Sequence, residues 1–236
     1  MTAQVKSKQR VADRGEVFTA PREVNAMLDL VKTETERIDS RFLEPACGDG
    51  NFLAEILSRK LAVVKMKYRK SRVDYEKNAI LALSSIYGVD ILQDNAEGCR
   101  KRLFDIWNKD YKSVCKKEVN EDTQKSAQFI LEKNIVCGNA LSLMCVDENG
   151  NDTDKPIVFS EWAFITGFQF QRSDYTFEKL MNTKEETPDT VPKARRKSSD
   201  KEQLTLFDAE DGKSADGEGE FLQKYISHYR RIWENG

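Results

Sequence analysis

Arg41-Phe42-Leu43-Glu44-Pro45-Ala46-Cys47-Gly48-Asp49-Gly50-Asn51-Phe52-Leu53 is the stretch that decides the fold. Arg41 to Leu43 reads as the end of a buried strand. Gly48 and Gly50 supply a tight turn, and an amphipathic helix starts at Asn51, with Leu53, Leu57, Leu61 and Val64 along one face. Strand, glycine turn and helix together form a cradle. Glycines let the backbone approach a ligand, and the first turn of the helix offers N–H groups that no carbonyl of the helix uses.

The pattern repeats downstream. Ser85-Ile86-Tyr87-Gly88-Val89-Asp90 reads as a short strand ending in a carboxylate, and Asn134 to Leu141 as a strand and its turn. Helical patterns cover Val73–Leu83, Asp94–Trp107 and Thr123–Glu132 between them. Strands at 41–46, 86–90 and 134–138 alternating with helices imply an α/β fold with a mainly parallel sheet. Upstream, Thr19 is a candidate N-cap and Pro21 suits a first helical turn, ahead of Val24, Met27, Leu28 and Val31 at helical spacing. Lys60 to Arg72 and Lys109 to Lys117 are basic runs and read as solvated surface. Asp147 to Asp152 reads as a loop or hairpin tip without the closing Glu of a calcium loop. The aromatics Trp162, Phe164, Phe168, Phe170, Tyr175 and Phe177 sit at near-alternate spacing, which favours the core of a small sheet over a base-stacking surface.

Composition narrows the function classes. The chain has 236 residues, 33% of them charged, with a net charge of −2, so no global positive field points to nucleic acid. Cys47, Cys99, Cys115, Cys137 and Cys145 are scattered without C-x-x-C, and the single histidine, His228, is distant, so no zinc site is expected. Reduced thiols fit a cytoplasmic protein. No apolar run approaches membrane-spanning length, and Met1 to Arg10 is too polar for a signal peptide.

The string E-P-A-C-G-x-G-x-F-L at 44–53 resembles motif I of the S-adenosylmethionine-dependent DNA methyltransferases, in their adenine-N6, restriction-modification branch. G-E-V-F-T at 15–19 resembles their motif X, although Ala20 stands between Thr19 and Pro21 where that family commonly has Pro directly after Thr. Asp90 matches the motif II acid, and Gly138-Asn139-Ala140-Leu141 resembles motif III. The resemblance covers about residues 11–141 and implies a Rossmann-like methyltransferase fold with an incomplete sheet. It also implies S-adenosylmethionine as cofactor, contacted by Phe18 and Thr19; by Glu44, Ala46, Cys47, Gly48, Gly50, Asn51 and Phe52; by Asp90 and Ile91; and by Asn139, Ala140 and Leu141. Asp90 would accept the ribose hydroxyls and Asn139 the adenine amino group. The interval from the glycines to Asp90 is about twice that of a simple nucleotide-binding unit, because an extra helix intervenes.

The family's base-capturing N-P-P-[YF] is missing, since no two of the five prolines are adjacent. No catalytic residue is therefore assigned, and the isolated chain is expected to be inactive. DNA would be engaged together with a second chain or C-terminal half carrying that motif. The alternative is a catalytically silent cofactor-binding or tethering protein. From 181 to 220 the sequence reads as a linker, preceded by a flexible 1–14 and a 15–180 domain and followed by a terminal helix at 221–236. Within the linker, Gln203-Leu204-Thr205-Leu206-Phe207 resembles the sliding-clamp-binding pentapeptide of bacterial replication and repair proteins, with Gln203, Leu204, Leu206 and Phe207 as the contact residues.

Overall fold

β1 (Phe42–Glu44), β2 (Ile86–Asp90) and β3 (Ile135–Asn139) lie parallel and adjacent, Phe42 opposite Ile86 and Gly88 opposite Ile135. They belong to a computed structural model that describes residues 19–182 and 221–235. Two antiparallel strands, β4 (Met144–Val146) and β5 (Asp152–Pro156), extend the sheet to five in the order β1-β2-β3-β4-β5. The chain is thus α/β with a mixed sheet. β1 is shorter than the expected 41–46, ending just before Pro45, which has no N–H to give a ladder.

Each parallel connection is a pair of helices. α1 (Pro21–Asp29) and the single turn α2 (Lys32–Thr35) precede β1. α3 (Asn51–Tyr68) and α4 (Arg72–Ser84) join β1 to β2, and α5 (Gln93–Cys115) and α6 (Glu121–Asn134) join β2 to β3. Ser71 caps α4 by accepting the N–H of Asp74, and Asn120 caps α6 by accepting that of Thr123. Strand side chains alternate between faces. Ile86 and Ile135 join the helix side, packed with Leu53, Leu57, Ile80, Leu103 and Ile130, while Tyr87 and Val89 face Ile157, Phe159 and Phe177.

β6 (Val158–Phe164), β7 (Gln169–Thr176) and β8 (Phe221–His228) form a separate antiparallel sheet, and α7 (Phe177–Asn182) follows β7. The aromatic run supplies its core in part: Trp162, Phe170 and Phe177 are buried, Trp162 stacking on Phe170 with ring centroids 5.8 Å apart, while Phe164 and Tyr175 are half-buried and Phe168 is exposed. Trp162 Nε1–H donates to Asn134 Oδ1 at 2.9 Å, and the Asn134 amide donates to the carbonyls of Ser84 and Ile86. Tyr87 O–H donates to Ser160 O at 3.0 Å. The small sheet is thereby tied to the base of the parallel one. Asp147 to Asp152 is the hairpin tip between β4 and β5, with Asp147 Oδ1 accepting the N–H groups of Asn149 and Asn151.

Four expectations need correction. Phe221–His228 is a strand, not part of a terminal helix; pairing with β7, with one register shift at Asp174/Tyr175, outweighs the helical spacing of Tyr225 and Tyr229, and Ile232–Asn235 is a 3-10 turn. Ala20, not Thr19, is the N-cap of α1, and Glu23 reaches back to accept the Ala20 N–H. α5 does not stop at Trp107 but runs on to Cys115, burying Tyr111 and Cys115, while Lys109, Lys112, Lys116 and Lys117 are exposed as expected. Lys60 is buried, donating to Ile38 O at 3.2 Å, to Ser85 Oγ at 2.6 Å and to Ser40 O. Burial pushes its pKa down to about 7, opposed by the charges of Asp39 and Glu34. Among the described residues, no helix is long and apolar enough to cross a membrane.

Candidate functional site

The carboxyl ends of β1, β2 and β3 bring three of the four expected segments together. After β1 the chain turns through Gly48 at φ 52° and Gly50 at φ 86°, left-handed values that a side chain disfavours. Gly50 N–H donates to Cys47 O, and Gly50 O accepts from Ala54 to begin α3. A Cβ on Gly50 would lie 2.7 Å from Cys99 Sγ, so the turn is pressed onto α5. No side chain caps α3, and the N–H groups of Asn51, Phe52 and Leu53 have no acceptor within the helix.

Asp90 holds this turn in place. Its carboxylate accepts Gly48 N–H at 2.8 Å, Leu92 N–H at 2.9 Å and the Asn95 side-chain N–H at 3.2 Å. Cys47 N–H donates to Val89 O at 2.9 Å, so strand β2 grips the loop at two places. A carboxylate has about four acceptor positions, which leaves Asp90 one for a ligand hydroxyl. Glu44 lies at the end of β1, opposite Gly88. Burial raises its pKa, and an N–H bond from Ala46 works against that rise.

The thiols here are not activated. The Cys47 thiol donates to Gly48 O at 3.6 Å, and the neighbouring Cys99 thiol together with burial pushes its pKa up. The Cys137 thiol faces Ile91 O at 3.7 Å, and burial raises its pKa too. Thiolates are the nucleophilic form, so these groups line the site as packing.

Asn139 closes β3. Its Oδ1 accepts Leu141 N–H at 3.0 Å and its Nδ2 donates to Asp152 Oδ1 at 2.9 Å. One Oδ1 lone pair remains for a ligand donor. Ala140 packs against the second core cluster, while Leu141 is 96% exposed and projects from the turn. From the upstream segment, Thr19 O accepts the Asn51 side-chain N–H at 3.4 Å, which brings Thr19 to the head of α3. Phe18 lies outside the described residues, as do Gln203, Leu204, Leu206 and Phe207.

Three residues of this constellation were not singled out as site residues from sequence. Asn95 is buried and orients Asp90; its place five residues after the acid is a usable signal. Cys99 lies beneath Gly50, and Arg102 reaches from α5 to Asp49 and Asn51. A mid-helix cysteine and arginine have no local pattern that marks them. Among the described residues, no three His, Cys, Asp or Glu side chains cluster as a metal site would need. The arrangement sets backbone N–H donors and side-chain oxygen acceptors along one edge of the sheet, a set that can hold a polar ligand. No family model, curated protein or solved structure matches this chain.

Proposed function

We propose that this chain is the S-adenosylmethionine-binding portion of a DNA adenine-N6 methyltransferase with a Rossmann-like fold. The observation that carries the reading is the convergence of the Gly48–Gly50 turn, Asp90 and Asn139 on the carboxyl ends of three adjacent parallel strands. Ligands of open α/β sheets bind at that edge. The glycine turn suits close approach of the cofactor to the backbone. Asp90 and Asn139 each keep an acceptor position, for ribose and adenine respectively. The chain has no N-P-P-[YF], so base capture and methyl transfer to DNA fall to a second polypeptide or domain.

Calorimetry with S-adenosylhomocysteine on the folded protein tests this reading. Binding is expected, and Asp90→Ala should weaken it by about 1–3 kcal/mol, the scale of losing a hydrogen-bonding partner in a buried site. No heat at millimolar ligand would reject the cofactor assignment.

A further inference from the structure

Arg102 stands two helical turns into α5, yet it acts on the glycine turn. Its Nη1–H donates to Asn51 Oδ1 at 2.6 Å, and lies 3.3 Å from Asp49 Oδ1 and 3.5 Å from Asp49 O. Asn51 passes the connection on by donating to Thr19 O. One guanidinium therefore links α5, the exit of the turn and the segment that enters α1.

A turn built on two glycines has much backbone freedom and must be held from outside. Asp90 holds one side through Gly48 N–H. On the other side, Arg102 holds Asp49 and Asn51. It also sets charge: Asp49 lies beside the first turn of α3, whose N–H groups favour an anionic ligand group. An unpaired Asp49 would oppose the carboxylate at the amino-acid end of an adenosyl ligand. The Arg102 and Asp49 side chains are 41% and 36% exposed, so removing the guanidinium leaves the apolar core intact.

We propose that Arg102 is a positioning residue for an adenosyl amino-acid ligand, fixing Asn51 and offsetting the charge of Asp49. The ligand class rests on the function proposed above; the ordering of the turn does not.

The test uses the full chain as wild type, Arg102→Ala, Arg102→Gln, Asn51→Ala and the Arg102→Ala/Asn51→Ala double variant. Amide hydrogen exchange without ligand reads order across residues 48–54 at their hydrogen-bonded amides, those of Gly48, Gly50 and Ala54, and calorimetry reads S-adenosylhomocysteine affinity. Arg102→Ala should exchange faster at 48–54, bind roughly tenfold more weakly, and keep the wild-type urea midpoint. Arg102→Gln, whose shorter uncharged side chain ends near the Nε position and does not reach Asn51 Oδ1, should lose order and affinity as Arg102→Ala does. The double variant should bind no more weakly than the weaker single variant. Unchanged exchange at 48–54 in Arg102→Ala, or fully additive losses in the double variant, would overturn the proposal. If wild-type protein binds no S-adenosylhomocysteine, the ligand class falls with the proposed function, and the exchange result still decides whether Arg102 orders the turn.

Discussion

Glu76 is the residue whose replacement should do most to separate the C-terminal segment from the body of the protein. It is buried on α4, and its carboxylate accepts from Tyr111 O–H at 2.6 Å, Tyr229 O–H at 2.7 Å, Thr123 Oγ1–H at 3.1 Å and the Arg230 Nε–H. Tyr111 and Thr123 belong to α5 and α6, while Tyr229 and Arg230 follow β8. Glu76→Ala leaves the buried Tyr111 and Tyr229 hydroxyls without their acceptor; Thr123 Oγ1–H can turn to Asn120 Oδ1 at 3.3 Å, and Arg230 is 35% exposed and can turn to water. At about 1–1.5 kcal/mol for each of these two hydroxyls, plus about 1 kcal/mol for the cavity, the loss is roughly 3–4 kcal/mol. That is a large share of the roughly 5–15 kcal/mol typical of a domain. Glu76→Gln keeps the volume and one acceptor oxygen, so it should lose about 2 kcal/mol, chiefly the charge-assisted bond to Arg230. Urea unfolding gives both values, and hydrogen exchange should show 221–235 losing protection before the parallel sheet does. A loss under about 1 kcal/mol for Glu76→Ala, or uniform loss of protection, would refute the claim that this carboxylate fastens the segment.

Two other perturbations test how the site is supported. Lys60 has a folded pKa of about 7 against about 10.4 unfolded, so above pH 7 the unfolded chain binds more protons and stability rises with pH. Urea midpoints at pH 6, 7 and 8 should climb more steeply for wild type than for Lys60→Met, which carries the same thiols and so cancels their titration; parallel curves would show that burial does not displace this lysine's proton. Gly50→Ala should cost about 2 kcal/mol in thermal unfolding, from the left-handed φ of 86° and from the contact 2.7 Å away at Cys99 Sγ. Adding Cys99→Ala should relieve the contact and leave the backbone strain, and full recovery in the double variant would show that φ at this position is not limiting.

How much was legible follows from the range over which each signal acts. The three parallel strands and the helices between them were readable because hydrophobic periodicity and glycine punctuation are local. The same local signal misplaced the C-terminal segment. Tyr225, Tyr229, Ile232 and Trp233 have helical spacing, but pairing of Phe221–His228 with β7 and burial of Tyr229 beside Glu76 decide the conformation, and both partners are distant in sequence. Lys60 failed for a related reason: a basic run on a helix end looks solvated until Ile38, Ser40 and Ser85 are folded around one member of it.

The site divides in the same way. Glycines and a strand-end acid announce a cradle because the chain must turn where the strand stops. What holds the cradle is invisible at that range: Asp90 reaches back 42 residues to Gly48, and Arg102 reaches back 51 to Asn51. These two contacts grip opposite sides of one glycine turn, and each uses a charged group on a neutral or oppositely charged partner. Backbone freedom at the glycines and charge at the supports are therefore complementary requirements. A turn loose enough to admit a ligand against its main chain needs distant polar anchors to keep one geometry, and loss of either anchor should loosen the turn before it unfolds the sheet.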